Sequence, residues 1–270
     1  MKKVGKVMGM VLAASCVMGM AAGCNKNDEK TDVEYIKDKG TFVVGITVYE
    51  PMDYIGEDGE WTGFDAVLAN KIGEKLDVTV QFVVINWANK VAELNSKNID
   101  CIWNGMTAST ELDESIDFSV AYAMNSQVAV VKSSNTTITN LETIKAAKVA
   151  VESGSAGDTV ATETIKAATI NRMTNGQTGA LNEVVSGNSD VAVIDYTMAY
   201  NVVGKNTYAA LKIVQGVEFG KEVFAVGVRT GSDLAATLNE SFKGWYEDGT
   251  LTALASEYGV GLNEEALKAL

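Results

Sequence analysis

The sequence predicts an α/β fold built from mostly parallel sheets with helices on their faces, and two observations lead to this prediction. Runs of β-branched and apolar residues alternate along the chain with segments whose apolar residues recur at helical spacing, which is the order that parallel sheets require. The segments 94–104 and 184–195 also share one plan: a helix end, an Asp, an apolar run and a polar residue where the strand stops. The two halves of the chain therefore contain related α/β units.

In each half of the chain, apolar runs predict strands, and apolar residues spaced three or four apart predict helices. The predicted strands are 42–47, 78–85, 100–104, 148–152 and 191–195. The predicted helices are 64–76, 89–95, one that follows Gly157 and ends near Ala168, 178–186, one that carries Leu234 to Trp245, and 251–258. Asp58-Gly59 is typical of a hairpin turn between the first strand and the first helix.

The first 23 residues have the pattern of a lipoprotein signal peptide. A start with three lysines precedes an apolar run, 7–22, which is too short and too rich in small residues for a stable membrane span. The run ends in Ala21-Ala22-Gly23-Cys24, so Cys24 is the predicted lipid-bearing residue and 24–32 the lipidated cysteine with a polar tether. The alternatives are cleavage before Cys16 and an ordinary secretion signal. The pattern predicts a domain anchored by lipid on the outer side of the cell membrane.

The composition excludes several kinds of function. The chain carries a net charge of −13 at pH 7, which argues against nucleic acid or an anionic membrane surface as a partner. It contains no histidine, the commonest general base and metal ligand, so neither a metal site nor a cofactor is predicted. Cys101 is the only thiol that remains after signal cleavage and lipidation, so no internal disulfide is predicted.

Polar residues follow several predicted strands at the point where each strand ends. The segment 104–107 follows the third strand, Asp195 ends the last one, and Tyr49 comes after the first. Residues 153–157 form a glycine-rich turn whose N–H groups would make an anion site at a helix start. Since ligands of open α/β sheets bind beyond the carboxyl ends of the strands, these segments are expected to converge on a cleft.

Five segments, in this order, resemble the family 3 extracellular solute-binding proteins, the polar amino-acid receptors of ABC importers. They are GITVYEPMDYIGEDGEWTGFD, INWANKVAELNSKNIDCIWNGMTASTELDESIDFSVAY, TITNLETIKAAKVAVESGSAG, SDVAVIDYTMAY and FAVGVRTGSDLAATLNESFKGWYEDGTL. The resemblance covers residues 33–260. It implies a type II periplasmic-binding-protein-like fold, in which two α/β lobes, 33–124 plus 220–270 and 125–219, share a two-strand hinge and close on a small polar solute. It also implies a monomer that delivers the solute to a membrane permease.

Carried over residue by residue, the resemblance assigns most of the ligand site. Tyr49 and Trp87 match the two rings that cover the ligand, and Asp195 matches the carboxylate that pairs with the ligand's ammonium. Thr107, two residues after Gly105, matches the hydroxyl that contacts the head group. The remaining residues expected to bind ligand are Asn104, Gly105, Ser153, Gly154, Ser155 and Ala156.

The chain departs from the family pattern at the carboxylate clamp. Members usually read Gly-Met-Thr/Ser-x-Thr-x-Glu-Arg, and the arginine holds the ligand's α-carboxylate, whereas here Glu111 is followed by Leu112. No other side chain reproduces the planar, bidentate contact of a guanidinium. The two arginines of the chain do not match the clamp, since Arg172 is expected in a loop and Arg229 on a returning strand. The sequence leaves open whether a lysine such as Lys90 replaces it.

Each assignment has an alternative. Asp195 could instead cap the helix that follows it, and the two rings could be core residues. Asn104 could face either the core or the cleft. Glu50 and Asp53 are expected to be solvated loop charges.

Three classes of function are compatible with the pattern. The first is a receptor for an amino acid whose carboxylate rests on the 154–157 turn, or for an amine or betaine without an α-carboxylate. The second is a dehydratase-like enzyme on the same fold, with Glu50, Asp53 or Glu152 as acids. The third is a sensory domain. Because the sequence has no histidine and no nucleophile–base signature, it favours a binding protein that is not an enzyme.

Overall fold

A computed structural model describes residues 30–270 and contains two five-stranded sheets and one two-stranded hairpin. The predicted signal peptide and Cys24 lie outside the described residues. Among residues 30–270, no helix is long and apolar enough to span a membrane.

The elements of the first sheet occupy the first half of the chain and its end. From the N-terminus they are α1 (Asp32–Lys39), β1 (Thr41–Ile46), β2 (Tyr54–Ile55), β3 (Trp61–Thr62), α2 (Phe64–Leu76), β4 (Thr79–Val84), α3 (Lys90–Asn95), β5 (Cys101–Ile102), α4 (Thr110–Asp113) and β6 (Asp117–Phe118). Those of the second sheet are β7 (Ala123–Lys132), α5 (Leu141–Lys145), β8 (Lys148–Glu152), α6 (Ala156–Thr159) with a π-helical continuation (Val160–Ile165), β9 (Thr169–Met173), α7 (Gln177–Ser186), β10 (Val191–Asp195), α8 (Tyr196–Val202) and β11 (Leu211–Phe224). The chain then returns to the first sheet with β12 (Gly227–Val228), α9 (Leu234–Glu247), α10 (Thr250–Tyr258) and α11 (Glu264–Lys268).

In both sheets three parallel strands form one side, and antiparallel pairings extend the other side. The strand orders are β4-β1-β5-β12-β6 and β11-β7-β10-β8-β9. β1 pairs in parallel with β4 and β5, and β8 pairs in parallel with β9 and β10, as the alternation of strands and helices predicts. β6, β7, β11 and β12 pair antiparallel because they belong to the segments that cross between the sheets. We call the first sheet with its helices lobe one and the second lobe two.

Two chain segments connect the lobes, and both belong to one long antiparallel pair. β6 leads into β7 and β11 leads into β12, so the chain crosses at 119–122 and again at 225–226. β11 shifts its register against β7 twice, before Glu218 and before Glu222. Such irregularities bend and twist a strand pair. The predicted two-strand hinge is therefore present.

The start of α2 shows how the local sequence sets the packing of lobe one. Phe64, Leu68 and Ile72 recur at helical spacing and are fully buried, as the apolar stripe predicts. Gly63 precedes the helix with a φ of +117°, and a Cβ built there would lie 2.3 Å from the carbonyl oxygen of Met52. Only glycine therefore allows the turn before the hairpin to pack against the start of this helix.

Two predictions about lobe two are wrong. The helix expected to end near Ala168 ends at Ile165, because Lys166 adopts the left-handed conformation with a φ of 53°. Arg172 lies on β9 and not in a loop, because the 169–173 segment pairs with β8 along its whole length. Its guanidinium donates to the carboxylate of Asp158 at 2.9 Å, so it is used within lobe two.

Arg229 directly follows the returning strand β12 and has a structural role, as the family resemblance implies. Its guanidinium donates to the carboxylate of Asp32 at 3.0 Å and to the carbonyl oxygens of Leu94 (3.1 Å) and Ile99 (2.9 Å). It therefore ties α1 to the segment after α3. Neither arginine of the chain is placed to hold a ligand in the cleft.

A candidate ligand site between the two lobes

A cavity of about 280 Å³ lies between the lobes, at the carboxyl ends of β1, β5, β8 and β10. Residues of both lobes line it, which agrees with the sequence-based expectation of a cleft beyond the strand ends. Its volume is at the lower end of the range for small-molecule sites. The cavity therefore suits a compact ligand.

The two lobes touch on both sides of this cavity. A Cβ built on Gly154 would lie 3.0 Å from the Cα of Ala88, and one built on Gly176 would lie 3.5 Å from the carbonyl oxygen of Val48. Lys90 of lobe one donates a hydrogen bond to the carbonyl oxygen of Gly154 at 2.9 Å. This arrangement is a closed cleft.

The structure brings all but one of the predicted ligand residues to the cavity wall. Those that line it are Tyr49, Trp87, Asn104, Gly105, Thr107, Gly154, Ser155, Ala156 and Asp195. Ser153 is the exception, because its N–H donates to the carbonyl oxygen of Met173 at 2.8 Å and so joins the neighbouring strand. That these residues contact a ligand stays a prediction.

Asp195 is buried at the end of β10, where three side-chain amides surround it. Its carboxylate accepts hydrogen bonds from Asn125 at 2.7 Å and from Gln127 and Gln177. Burial raises the pKa of Asp195, and the amides of Gln177 and Gln127 partly oppose this effect. The residue occupies the position before α8, but its side chain makes no capping hydrogen bond. Its carboxylate is therefore a cavity group and not a helix cap.

Glu222, on the hinge strand β11, lies beside Asp195. Its carboxylate accepts hydrogen bonds from two of the three amides that surround Asp195, those of Gln127 (2.7 Å) and Asn125. Burial and the charge of Asp195 raise the pKa of Glu222 to about 8. Two carboxylates that share only neutral donors either retain a proton at neutral pH or attract a cation. Sequence reasoning missed both Glu222 and Gln177, since neither carries a motif.

Tyr49 covers the cavity from lobe one and is only 2 % exposed. Its hydroxyl lies close to Asp195 but makes no hydrogen bond of normal geometry to any described residue. Burial and the charge of Asp195 raise the pKa of this hydroxyl well above its usual value. Gly105 makes room for the ring, because its φ is +55° and a Cβ there would lie 2.8 Å from a ring carbon of Tyr49. A ligand would satisfy the unpartnered hydroxyl.

Lys90 is the only cationic side chain among the described residues that line the cavity. Its ammonium donates to the carbonyl oxygens of Gly154 (2.9 Å) and Trp87 (3.4 Å) and lies 5.1 Å from the centre of the Trp87 ring. Burial lowers the pKa of Lys90, and the charge of Glu152 acts in the opposite direction. Carbonyl groups and a ring do not neutralise a buried charge, so Lys90 has capacity for a ligand carboxylate.

Glu152 ends β8, lines the cavity and is 3 % exposed. Its Oε1 is buried and has no hydrogen-bond partner among residues 30–270. Burial and the charge of Asp195 raise the pKa of Glu152 to about 8, while the nearby Lys90 lowers it. Glu152 is therefore a buried acid that the protein itself leaves unsatisfied.

Asn104 lines the cavity, but lobe one uses its amide completely. Its Oδ1 accepts from the N–H (3.0 Å) and the hydroxyl (2.8 Å) of Thr47, and its Nδ2 donates to the Thr47 carbonyl (2.9 Å) and to Asp53 (2.7 Å). Asn104 was predicted to face either the core or the cleft, and its polar atoms face the core of lobe one. The expectation that Asp53 is solvated is wrong. The N–H of Tyr49 donates to the carbonyl oxygen of Asp53 at 2.7 Å, and the turn that this hydrogen bond closes buries the side chain of Asp53.

The turn at 153–157 offers fewer free N–H groups than predicted. Those of Ser153, Gly154 and Ser155 already donate within the protein. The acceptor for Gly154 is the carboxylate of Asp158, at 3.1 Å, which also places a negative charge in the first turn of α6. Only the N–H groups of 156–157 have no acceptor in the part of the chain that the structure describes. The expected anion site is therefore much weaker than the sequence suggests.

Leu112 stands at the cavity, where the family pattern has its arginine. Its half-buried side chain lines the cavity and packs against the apolar cluster that contains Trp87 and Leu94. The clamp position thus presents an apolar surface. The exposed carboxylate of Glu111 lines the same part of the cavity.

A second acidic pair lies beneath the loop that carries Gly105. Asp65 is fully buried and accepts from the N–H of Gly105 at 2.6 Å and from the hydroxyl of Tyr122 at 2.8 Å. Burial raises the pKa of Asp65 to about 7. Burial and the charge of Asp65 raise the pKa of Asp53 well above its usual value, and its Oδ1 has no partner. The pair fixes the loop backbone at the cost of two buried acids.

Comparison with known proteins identifies the family. The model for the bacterial extracellular solute-binding proteins, family 3, matches residues 42–261. The chain belongs to this family. The resemblance found in the sequence is thereby confirmed, and the cavity lies where a solute-binding protein of two lobes requires it.

Similar curated proteins bind amino acids. An L-cystine-binding protein from Escherichia coli is 28% identical over 251 residues, which cover 92% of this chain and 92% of that protein. An L-cystine-binding protein from Bacillus subtilis is 25% identical over 266 residues, covering 96% of this chain and 97% of that protein. These relatives are binding proteins and not enzymes.

Solved structures show the same two-lobe type II fold. An arginine-binding protein from T. maritima has a TM-score of 0.78 at 28% identity and covers 84% of this chain and 98% of its own. A substrate-binding protein of an ABC uptake transporter from Streptococcus pneumoniae, with bound histidine, has a TM-score of 0.73 at 29% identity and covers 83% and 94%. An ancestral amino acid-binding protein, a precursor of cyclohexadienyl dehydratase, has a TM-score of 0.76 at 29% identity and covers 84% and 98%. The predicted fold is confirmed.

Proposed function

We propose that this chain is the amino-acid receptor of an ABC importer and that it captures its ligand by closing two lobes around the cavity, without catalysing a reaction. The observation that carries the proposal is a cavity lined by both lobes, whose wall contains the carboxylate of Asp195, the unpartnered hydroxyl of Tyr49 and the ammonium of Lys90. A ligand that contacts both lobes stabilises the closed state, so binding and closure are coupled. The cystine-, arginine- and histidine-binding proteins described above support an amino acid as the ligand.

Each residue of the site contacts the part of the ligand that suits its chemistry. Asp195 pairs with the α-ammonium, and Tyr49 and Trp87 cover the ligand. Thr107 donates its hydroxyl to the head group. Lys90 takes the α-carboxylate in place of the missing arginine, together with the free N–H groups of 156–157.

The domain organisation forms part of the same proposal. Lobe one is 33–124 plus 220–270 and lobe two is 125–219, with the boundaries on the crossing strands β7 and β11. Residues 1–23 are removed as a signal peptide. Cys24 then carries the lipid, and the rest of 24–32 tethers a monomer to the outer face of the cell membrane next to its permease.

One observation favours a second candidate, a receptor for an amine that has no α-carboxylate. The cavity is lined by the acidic side chains of Glu111, Glu152, Asp195 and Glu222 but by a single lysine and no arginine. An α-carboxylate in such a site depends on Lys90 alone among the charged groups. An amine without a carboxylate would need no such partner.

Calorimetric titration with L-amino acids, amines and betaines tests the proposal. A chain that begins at residue 25 retains every described helix and strand and serves for this purpose. Asp195→Asn should weaken amino-acid binding by roughly 10- to 100-fold, since a hydrogen bond to a charged group contributes roughly 1.5–3 kcal/mol. Glu50→Gln, which removes an exposed carboxylate next to Tyr49, is the matched control and should bind like the wild type. Failure of all amino acids to bind, or unchanged binding by Asp195→Asn, would overturn the proposal.

A further inference from the structure

Three acids line one side of the cavity, the buried Asp195 and Glu152 of lobe two and the half-buried Glu222 of the hinge strand, although the ammonium of an α-amino acid requires only one. Asp195 and Glu222 lie side by side and share their amide donors. Glu152 stands apart, at the end of the adjacent strand. β8 and β10 are parallel neighbours, and the two carboxylates are close enough for the charge of Asp195 to raise the pKa of Glu152.

Glu152 differs from the other two acids because the protein gives it no donor. Side-chain amides satisfy Asp195 and Glu222, whereas Oε1 of Glu152 is buried without a partner. The ammonium of Lys90 is nearby, but it donates to the carbonyl oxygens of Gly154 and Trp87 instead. A buried acid that lines a cavity and has no donor is an incomplete interaction, and a cationic donor on a ligand would complete it.

We propose that Glu152 is a second cation subsite and that the ligand carries two amino groups, one for Asp195 with Glu222 and one for Glu152. This inference rests on the proposed function, since it describes the ligand of the same cavity. A ligand with one ammonium would leave a buried acid unpaired, and a ligand with an acidic side chain would add a further negative charge to the site. The aliphatic part between the two amino groups would lie against Tyr49 and Trp87.

The charge on Lys90 is compatible with this ligand class. Its ammonium would pair with a carboxylate of the ligand, so that each buried charge of the cavity meets an opposite charge. Two kinds of molecule have this chemistry: diamino acids such as L-lysine and L-ornithine, and two-headed amino acids such as L-cystine. Both present two amino groups and at least one carboxylate to the site.

Matched ligand pairs test the inference in calorimetric titrations of the wild-type chain and of Glu152→Gln. L-lysine and L-norleucine differ at the end of the side chain, where only lysine has an ammonium. S-methyl-L-cysteine lacks the second half of L-cystine, with its sulfur, ammonium and carboxylate. In the wild type, at least one diamino ligand should bind roughly 10- to 100-fold more tightly than its single-headed counterpart. Glu152→Gln should bring that ratio close to one and should leave the affinity for the counterpart within a few-fold. Glu163→Gln, an exposed acid of lobe two that does not line the cavity, is the control variant and should keep the wild-type ratio.

The outcomes separate this inference from the proposed function. If single-headed amino acids bind as tightly as both diamino ligands, or if Glu152→Gln leaves a wild-type preference unchanged, the inference is overturned while the amino-acid receptor stands. If neither pair binds, the inference is overturned, and the amino-acid receptor is overturned as well only if every other amino acid also fails to bind. Thermal unfolding checks that Glu152→Gln is folded. The affinity ratio of the wild-type chain tests the inference without any variant.

Discussion

Replacement of Gly154 by alanine tests whether closure of the lobes forms the ligand site. Gly154 has a φ of +72°, and a Cβ built on it would lie 3.0 Å from the Cα and 3.3 Å from the Cβ of Ala88, across the cleft. Carbon atoms in favourable contact are roughly 3.5–4.0 Å apart. Because the nearest atom belongs to the backbone, no side-chain rotation relieves the contact, and the lobes must separate by a few tenths of an ångström.

The substitution has two costs, which act on different quantities. The left-handed conformation costs alanine roughly 1–2 kcal/mol in the open and the closed state alike, so it lowers stability without changing affinity. The contact with Ala88 exists only when the lobes are closed. Overpacking of this kind costs roughly 1–3 kcal/mol, which corresponds to roughly 5- to 150-fold in Kd.

Gly216→Ala is the matched control for Gly154→Ala. Gly216 lies on β11 with the same φ of +72°, but a Cβ built there meets no heavy atom within 4 Å. Both variants should therefore unfold at a lower temperature, and only Gly154→Ala should bind more weakly in a titration with the amino acid that binds the wild type best. Wild-type affinity of Gly154→Ala would refute the reasoning, and so would an equal loss of affinity in both variants, which would trace the effect to the backbone.

Three further predictions concern the charged groups. Lys90→Met should weaken amino-acid binding by roughly 10-fold or more in calorimetric titrations, because a ligand carboxylate loses the one cationic side chain of the cavity. The affinity for amines without a carboxylate should fall much less, since these ligands lose only the support of the Lys90–Gly154 hydrogen bond between the lobes. Binding of a diamino ligand should tighten as the pH rises from 6 to 8, because Glu152, which faces Asp195 and Lys90 and has a pKa of about 8, must release its proton before it pairs with an ammonium. Calorimetric titrations in buffers of different ionisation enthalpy detect the released proton. An affinity that does not depend on pH would contradict the assignment of Glu152. In thermal unfolding, Asp53→Asn should stabilise the chain more at pH 8 than at pH 5. An acid whose pKa is raised in the folded state destabilises the fold increasingly as the pH rises above the acid's pKa in the unfolded state, 3.8 for Asp53. Equal effects of the substitution at both pH values would contradict this prediction.

The sequence predicts the fold wherever apolar periodicity decides the structure. The strands 148–152 and 191–195 and the helix 64–76 have the predicted bounds, because their side chains are buried at the expected period. The cleft followed from topology, since polar residues at strand ends must lie at one edge of a parallel sheet. Tyr49 and Asp195 were therefore within reach of sequence reasoning and of the family resemblance.

The remaining part of the site depends on long-range register, which leaves no local signal. Gln127 and Glu222 meet although they are 95 residues apart in the chain, because β11 shifts its register against β7 just before Glu222. The wrong expectation for Asp53 has a similar origin, since a charge next to a proline in a loop is usually solvated and here the turn closes over it. The N–H groups of 153–155 already donate to Met173, Asp158 and Glu152, which a motif cannot reveal.

A crystal structure of the chain from residue 25 with its tightest-binding amino acid is the most direct test of the central claim. The account predicts a ligand between Tyr49 and Trp87, its α-ammonium within hydrogen-bond distance of Asp195 and its carboxylate at Lys90, with the lobes closed. A ligand bound outside this cavity, or one bound inside it with its ammonium away from Asp195, would contradict the account.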